Sequence, residues 1–180
     1  MTTHPRALPY RCVIFDLDGT LLDTRAAMMD ALNGLLVELG RPPVTVELLL
    51  STMHHGLGAM LNTALDETGR LPTQVMQRQL ESLLRHRYLH TAATAVRRYA
   101  GTRALLDALQ THSVWMAICS NQDEHSVRTL LELFGLRDYF REVVGGDTFV
   151  ARKPDPMPLR WLMTAARSSP ENTVLVGDSA

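Results

Sequence analysis

Apolar residues along this chain recur at two different periods. Short runs cover Arg11–Phe15, Val114–Cys119 and Thr173–Val176, with a weaker one at Glu142–Val144. They are too brief for helices, and each stops at small or polar residues: Gly19 after Asp16 and Asp18, Ser120-Asn121, Gly177-Asp178-Ser179 and Gly145-Gly146-Asp147. Such runs read as buried strands broken by turns. Helical spacing is predicted over Thr102–Gln110, Glu124–Phe134 (stopped by Gly135) and Pro156–Arg167. Strands alternating with helices of about ten residues make βα units, hence an α/β fold with a parallel sheet covered on both faces.

Residues 23–98 keep the helical period alone. One series is Met28, Ala31, Leu32, Leu35, Leu36 and Leu39, closed by Gly40; another is Leu57, Met60, Leu61, Ala64 and Leu65, closed by Gly69. A third, Met76, Leu80, Leu83 and Leu84, follows Pro72 at a helix start. No strand candidate interrupts them. The expected organisation is therefore a core made of residues 1–22 and 99–180, with a helical insertion over 23–98.

Composition narrows the function. A chain of 180 residues buries roughly 70% of its unfolded surface and needs no disulfide or metal to fold. Its net charge of −1 disfavours a protein that coats nucleic acid or an anionic membrane. No apolar run reaches membrane-spanning length, and residues 1–12 carry no apolar signal-like segment. Cys12 and Cys119, both within apolar runs, read as reduced core residues of a cytoplasmic protein. All basic residues but one are arginine; the exception is Lys153, which Pro154 follows, so a Gly-Lys-Ser/Thr phosphate loop is excluded.

In open parallel sheets ligands bind where strands end. The polar residues at those ends are Asp16 and Asp18, then Ser120 and Asn121, then Asp178, with Lys153 in the loop before the Pro156 helix. Three carboxylates gathered together repel one another and suit a hard divalent cation such as Mg²⁺, while the ammonium suits an anionic substrate. The combination points to phosphoryl transfer. Ser120 also reads as a helix cap, and Lys153 as a surface charge. Asp147 and Asp155 read as turn formers or helix caps. Asp16, set between Phe15 and Leu17, is costly to bury unless it is paired or metal-bound.

The stretch Asp16-Leu17-Asp18-Gly19-Thr20-Leu21-Leu22-Asp23-Thr24 resembles the first motif of the haloacid dehalogenase superfamily in its phosphatase form. Ser120-Asn121, Lys153-Pro154-Asp155-Pro156 and Val176-Gly177-Asp178-Ser179 resemble its second, third and fourth motifs, in the family's order. Tyr99-Ala100-Gly101, Val143-Val144-Gly145-Gly146-Asp147 and Arg152-Lys153-Pro154-Asp155-Pro156 are similar to the phosphoglycolate phosphatases.

The resemblance implies a Rossmann-like core with an α-helical cap over 23–98 and a Mg²⁺-dependent reaction. Asp16 would be the nucleophile that forms an aspartyl-phosphate, and Asp18 the acid and base. Ser120 and Asn121 would bind the substrate, and Lys153 would neutralise charge. Asp16, the Asp18 backbone carbonyl and Asp178 would hold the metal. An aspartate suits the first role because a carboxylate is already ionised near neutral pH and needs no activating base. The acid at position 18 favours phosphate esters over halides, whose departure needs no proton.

The family continues beyond the fourth motif with a further acid, so the chain reads as truncated at its C-terminal end, a fragment or a short form with weak activity. Gln122 is a second departure, since many relatives carry lysine after the asparagine. In the cap, His54-His55-Gly56-Leu57-Gly58 resembles the specificity loop of the phosphoglycolate phosphatases, with Gly56 and Gly58 opening backbone N–H groups to a substrate carboxylate; a plain loop and helix start accounts for it equally. His86 and His90 have i, i+4 spacing, but Arg87 stands where a zinc-protease motif needs Glu. The arginines Arg78, Arg85, Arg87, Arg97 and Arg98 read as a solvated face of the third cap helix.

The expected activity is hydrolysis of a small phosphorylated metabolite, 2-phosphoglycolate first, by a monomer or homodimer without nucleic-acid or membrane partners. The alternatives are a phosphatase for another sugar phosphate or nucleotide, a β-phosphoglucomutase-like enzyme, and a catalytically silent binding protein.

Overall fold

Four parallel strands form the centre of the molecule. A computed structural model describes residues 9–69 and 72–178; Ser179 of the fourth motif lies outside them. The strands are β1 (Cys12–Phe15), β4 (Trp115–Cys119), β5 (Glu142–Val144) and β6 (Thr173–Val176), in the spatial order β5-β4-β1-β6. In register, Cys12 pairs with Trp115 on one side and with Thr173 on the other.

Alternation along β1 divides its side chains between two apolar clusters. Val13 and Phe15 join a large cluster that continues into the helical segment, and Cys12 and Ile14 join a smaller one completed by Leu162 of α7 (Met157–Ala165). Both faces of the sheet are therefore covered at its central strands β1 and β4, which is why these read as unbroken apolar runs, while β6 at the edge is only half-buried and leaves Leu175 exposed. Full burial of a side chain such as Ile14 or Phe15 contributes roughly 1.5–3 kcal/mol. The two cysteines are free and buried.

The helical segment holds α1 (Arg25–Glu38), α2 (Val46–Thr52), a 3-10 turn at Met53–His55, α3 (Leu57–Thr68) and α4 (Gln74–Ala95). On α1, Met28, Ala31, Leu32, Leu35 and Leu36 are buried; on α3, Leu57, Met60, Leu61, Ala64 and Leu65 are. Thr45 and Thr73 cap α2 and α4 by accepting from the N–H groups of Leu48 and Met76. On α4 the buried stripe is Leu80, Leu84, Tyr88 and Ala92, while Met76 and Leu83 are exposed: the packed face is rotated relative to the one expected from sequence.

Two short strands lie at the ends of this segment, where none was expected. β2 (Leu22–Asp23) and β3 (Arg97–Arg98) pair antiparallel, so the chain leaves and re-enters the sheet region at one place. Arg97 and Arg98 thus belong to a strand, not to the α4 face. Of the α4 arginines, Arg85 lies 3.6 Å from Asp123 and Arg87 pairs with Glu38, so these two are structural partners. The remaining helices are α5 (Thr102–Thr111) and α6 (Glu124–Leu133); α6 ends one residue before the predicted stop, and α7 is trimmed at both ends.

Candidate active site

The ends of β1, β4 and β6 put the chemical residues on one rim. The Asp16 N–H donates to Val176 O at 2.8 Å, so β1 stays paired with β6 one residue past its end and the Asp16 side chain emerges in a fixed direction. Asp16 Oδ1 accepts from the Leu17 N–H at 2.8 Å, and Oδ2 lies 2.6 Å from Lys153 Nζ. Asp16 is 7% exposed. The lone lysine is therefore a counter-ion of this carboxylate rather than a surface charge, and the pairing offsets the cost of burying both.

Asp18 is 8% exposed and is held by a different set of partners. Thr24 Oγ1 donates to its Oδ1 at 2.7 Å, and Gln122 Nε2 reaches both oxygens at 2.7 Å. Burial, reinforced by the negative charge of Asp16, pushes its carboxyl up to about 6, against the opposing hydrogen bonds from Thr24 and Gln122 and the charge of Lys153. A carboxyl tuned this way exchanges a proton near neutral pH.

Ser120 Oγ accepts the Gln122 N–H at 3.1 Å, a local turn that keeps the hydroxyl in the cavity wall. Asn121 Nδ2 donates to the carbonyls of His54, at 2.9 Å, and of Lys153, at 3.0 Å, tying the helical segment and the lysine loop to the end of β4. Its Oδ1 is buried without a hydrogen-bond partner among the described residues. Asp155 has a local turn role, its Oδ1 accepting from Met157 N at 2.8 Å, whereas Asp147 Oδ1 accepts from Glu124 N at 2.7 Å and so ties the loop after β5 to the start of the helix at Glu124–Leu133.

Asp178 lies against Gly19. A Cβ on Gly19, whose φ is +72°, would fall 2.0 Å from Asp178 Oδ2, so only glycine lets the carboxylate settle over this turn. Asp16, Asp18 and Asp178 line one small cavity with Ser120, Asn121 and Gln122. No group of three or more His, Cys, Asp or Glu side chains among the described residues is arranged to bind a metal by itself. Of the ligand set that the resemblance implies, Asp16 and Asp178 share this cavity as oxygen donors suited to a hard cation, while Thr24 and Gln122 hold the Asp18 side chain and leave its backbone carbonyl as the donor expected of that residue.

An adjoining cleft of about 240 Å³ is lined by Asp16, Lys153, Asn121, His54, His55 and Leu159, among others. Gly56 and Gly58 are not in it. A Cβ on Gly56 would meet Asn121 O at 2.4 Å, and one on Gly58 would lie 3.4 Å from a Glu81 carboxylate oxygen. Both glycines line a separate cavity with Glu81 and Arg85. They bring the helical segment close to the β4 loop, while the two histidines line the cleft together with Asp16. His86 and His90 stack at 6.4 Å and are exposed.

Sequence reasoning missed Tyr88 and Thr24, and marked Gln122 only as a departure from the family, whereas its amide is turned inward onto Asp18. Thr24 carried a weak signal, standing at a helix start within the first motif. Tyr88 carried none beyond its place on the helical period.

Three comparisons bear on this site. A sequence profile of the haloacid dehalogenase-like hydrolases matches residues 13–180. The phosphoglycolate phosphatase of Nitrosospira multiformis is 36% identical over 175 residues, covering 96% of this chain and 76% of the relative; that of Photobacterium profundum is 33% identical over 170 residues, covering 93% and 74%. The crystal structure of a predicted phosphoglycolate phosphatase from Haemophilus somnus superposes with a TM-score of 0.85 at 22% identity, covering 93% of this chain and 76% of that one.

Proposed function

Because the chain belongs to the haloacid dehalogenase-like hydrolases, we propose that it hydrolyses a small phosphomonoester, 2-phosphoglycolate first, by way of an aspartyl-phosphate on Asp16. The observation that carries this reading is the 2.6 Å contact between Lys153 Nζ and Asp16 Oδ2, with the raised carboxyl of Asp18 two residues away. The curated relatives named above as phosphoglycolate phosphatases supply the substrate.

An Asp16 carboxylate oxygen attacks phosphorus as the ester P–O bond breaks. Asp18 gives its proton to the departing alkoxide, releasing glycolate. The same carboxylate then takes a proton from water, the resulting hydroxide oxygen bonds to phosphorus, and the P–O bond to Asp16 breaks to give inorganic phosphate and the starting enzyme. Lys153 offsets the charge that gathers as one anion approaches another, and Ser120 presents a hydroxyl to a phosphoryl oxygen. Mg²⁺, held by Asp16, the Asp18 carbonyl and Asp178, would add charge neutralisation at the phosphoryl group. The cleft beside Asp16 carries His54 and His55 from the helical segment, suited to a second anionic group such as the substrate carboxylate.

The described residues contain no helix long and apolar enough to cross a membrane. The reading is of a cytoplasmic enzyme acting on a small phosphorylated metabolite.

A panel of 2-phosphoglycolate, sugar phosphates and nucleotides, assayed with Mg²⁺, tests it. Preference for 2-phosphoglycolate, abolished in Asp16→Asn, is expected. Unchanged hydrolysis in Asp16→Asn would remove Asp16 as nucleophile, and no turnover of any ester would leave a binding protein.

A further inference from the structure

The inward side of Asp18 is built from residues to which the reaction above gives no task. Gln122 is 2% exposed, and its Nε2 lies 2.7 Å from Oδ1 and 2.7 Å from Oδ2 of Asp18. The same nitrogen lies 3.3 Å from the hydroxyl of Tyr88, a fully buried residue of α4. Thr24, the residue preceding α1, adds its hydroxyl to Asp18 Oδ1 at 2.7 Å. Two separate segments thus converge on one carboxylate, with α4 behind the amide of one of them. The donor shared by both oxygens holds the group at a fixed distance, the Thr24 hydroxyl on Oδ1 alone sets its rotation, and a carboxylic proton is transferred along a direction set by the resulting plane.

Packing alone does not account for glutamine here. Its Oε1 is buried with no hydrogen-bond partner among the described residues, an arrangement that costs free energy relative to an apolar side chain of the same length. The one return visible in the structure is the grip on Asp18.

We propose that Gln122 is a positioning residue for Asp18, with Tyr88 keying its amide to α4. The role rests on the reading of Asp18 as proton donor and acceptor. Gln122 exchanges no atom: the proton passes from Asp18 to the ester oxygen as the P–O bond breaks, and the amide keeps the carboxyl aimed at that oxygen.

Two substrates separate this role from a structural one. The alkoxide of 2-phosphoglycolate must be protonated as it leaves, whereas the phenolate of 4-nitrophenyl phosphate departs without a proton, and kcat/KM reports the step up to that departure. Gln122→Met keeps the length and loses the amide. It is expected to lower kcat/KM by about tenfold or more for 2-phosphoglycolate but by less than about threefold for 4-nitrophenyl phosphate. Equal losses on both esters, or no loss on either, would overturn the proposal.

Tyr88→Phe removes one hydroxyl and is expected to show the same asymmetry, about threefold on 2-phosphoglycolate alone. It decides the matter if Gln122→Met does not fold: equal effects on both esters count against the role. The two readings fail differently. Wild-type protein that hydrolyses neither ester, or an Asp16→Asn variant that retains full rate, sinks the proposed reaction and this role with it; a normal wild type with symmetric losses in Gln122→Met sinks the role of Gln122 alone.

Discussion

Lys153 Nζ lies 2.6 Å from Asp16 Oδ2, joining the loop before α7 to the end of β1. The pair is largely enclosed, with side-chain exposures of 16% and 10%, so its attraction is screened less than that of a surface ion pair. Replacing Lys153 with Met leaves the attacking carboxylate and the phosphoryl group without their cation. The expected loss in kcat/KM is about 10²–10³-fold. Lys153→Arg should recover only part of it, because a planar guanidinium does not fit the place of a compact ammonium. Steady-state kinetics on 2-phosphoglycolate check both, and full activity in Lys153→Met would show the contact to be structural only.

Asp18 gives a pH signature in stability. Its carboxyl is raised to about 6 in the folded chain from an ordinary value of 3.8. The folded state therefore prefers the neutral form, and the stabilisation this gives is complete below the unfolded value and lost as pH rises through the folded one. On this account stability falls by about 2 kcal/mol between pH 4 and pH 7 from this group alone. Asp18→Asn, neutral throughout, should flatten that part of the profile. Denaturant midpoints of the two proteins measured side by side from pH 4 to 7 check it; parallel curves would count against the raised carboxyl.

Gly19→Ala places a methyl group where Asp178 Oδ2 now lies, on a backbone with φ of +72°. Strain in the turn should cost about 1–3 kcal/mol. The same alanine at Gly40, where φ is +68° and no atom lies within 4 Å, carries similar strain without touching the rim. The difference between the two variants isolates the displacement of Asp178. Gly19→Ala alone is expected to raise the Mg²⁺ concentration for half-maximal activity by about tenfold or more. Equal Mg²⁺ responses in the two would mean that Asp178 does not hold the ion.

Asn121 anchors two loops through one amide, donating to His54 O and Lys153 O. Asn121→Ala removes both bonds and leaves two half-buried carbonyls short of a partner, at a cost of about 1 kcal/mol. Lys153 and the histidines would lose their fixed spacing, so KM should rise along with the fall in kcat. Thermal melting and kinetics on one preparation check this; an unchanged KM would mean that the cleft keeps its shape without the clamp.

What the sequence disclosed followed from which forces act locally. β1 and β4 were legible because strands buried on both faces must be apolar throughout, β5 and β6 because their short apolar runs end at glycines, and Asp16, Ser120 and Asp178 because the first polar residue after such a strand is conspicuous. The α4 face was misjudged at Met76 and Leu83, since the helical period fixes that a stripe exists but the neighbouring helices decide which stripe packs. β2 and β3 were invisible: two residues each, held by pairing with one another, leave no periodic trace. The inward turn of Gln122 depends on Tyr88 and Asp18, neither near it in sequence, and nothing in the spacing encodes their meeting. Gly56 and Gly58 were linked to a substrate, and the structure sets them instead where the backbone of Asn121 and the Glu81 side chain come close.

The pairing of Leu22 with Arg98 and of Asp23 with Arg97 has a consequence for how such a molecule diversifies. A long excursion that starts and finishes at neighbouring backbone positions asks little of the scaffold it departs from, since closing a loop becomes only slowly harder as the loop lengthens. A different set of helices, longer or shorter, could be spliced at this doorway while the strands beneath stayed in register. Selectivity for new esters is then free to drift without disturbing the bond-breaking apparatus.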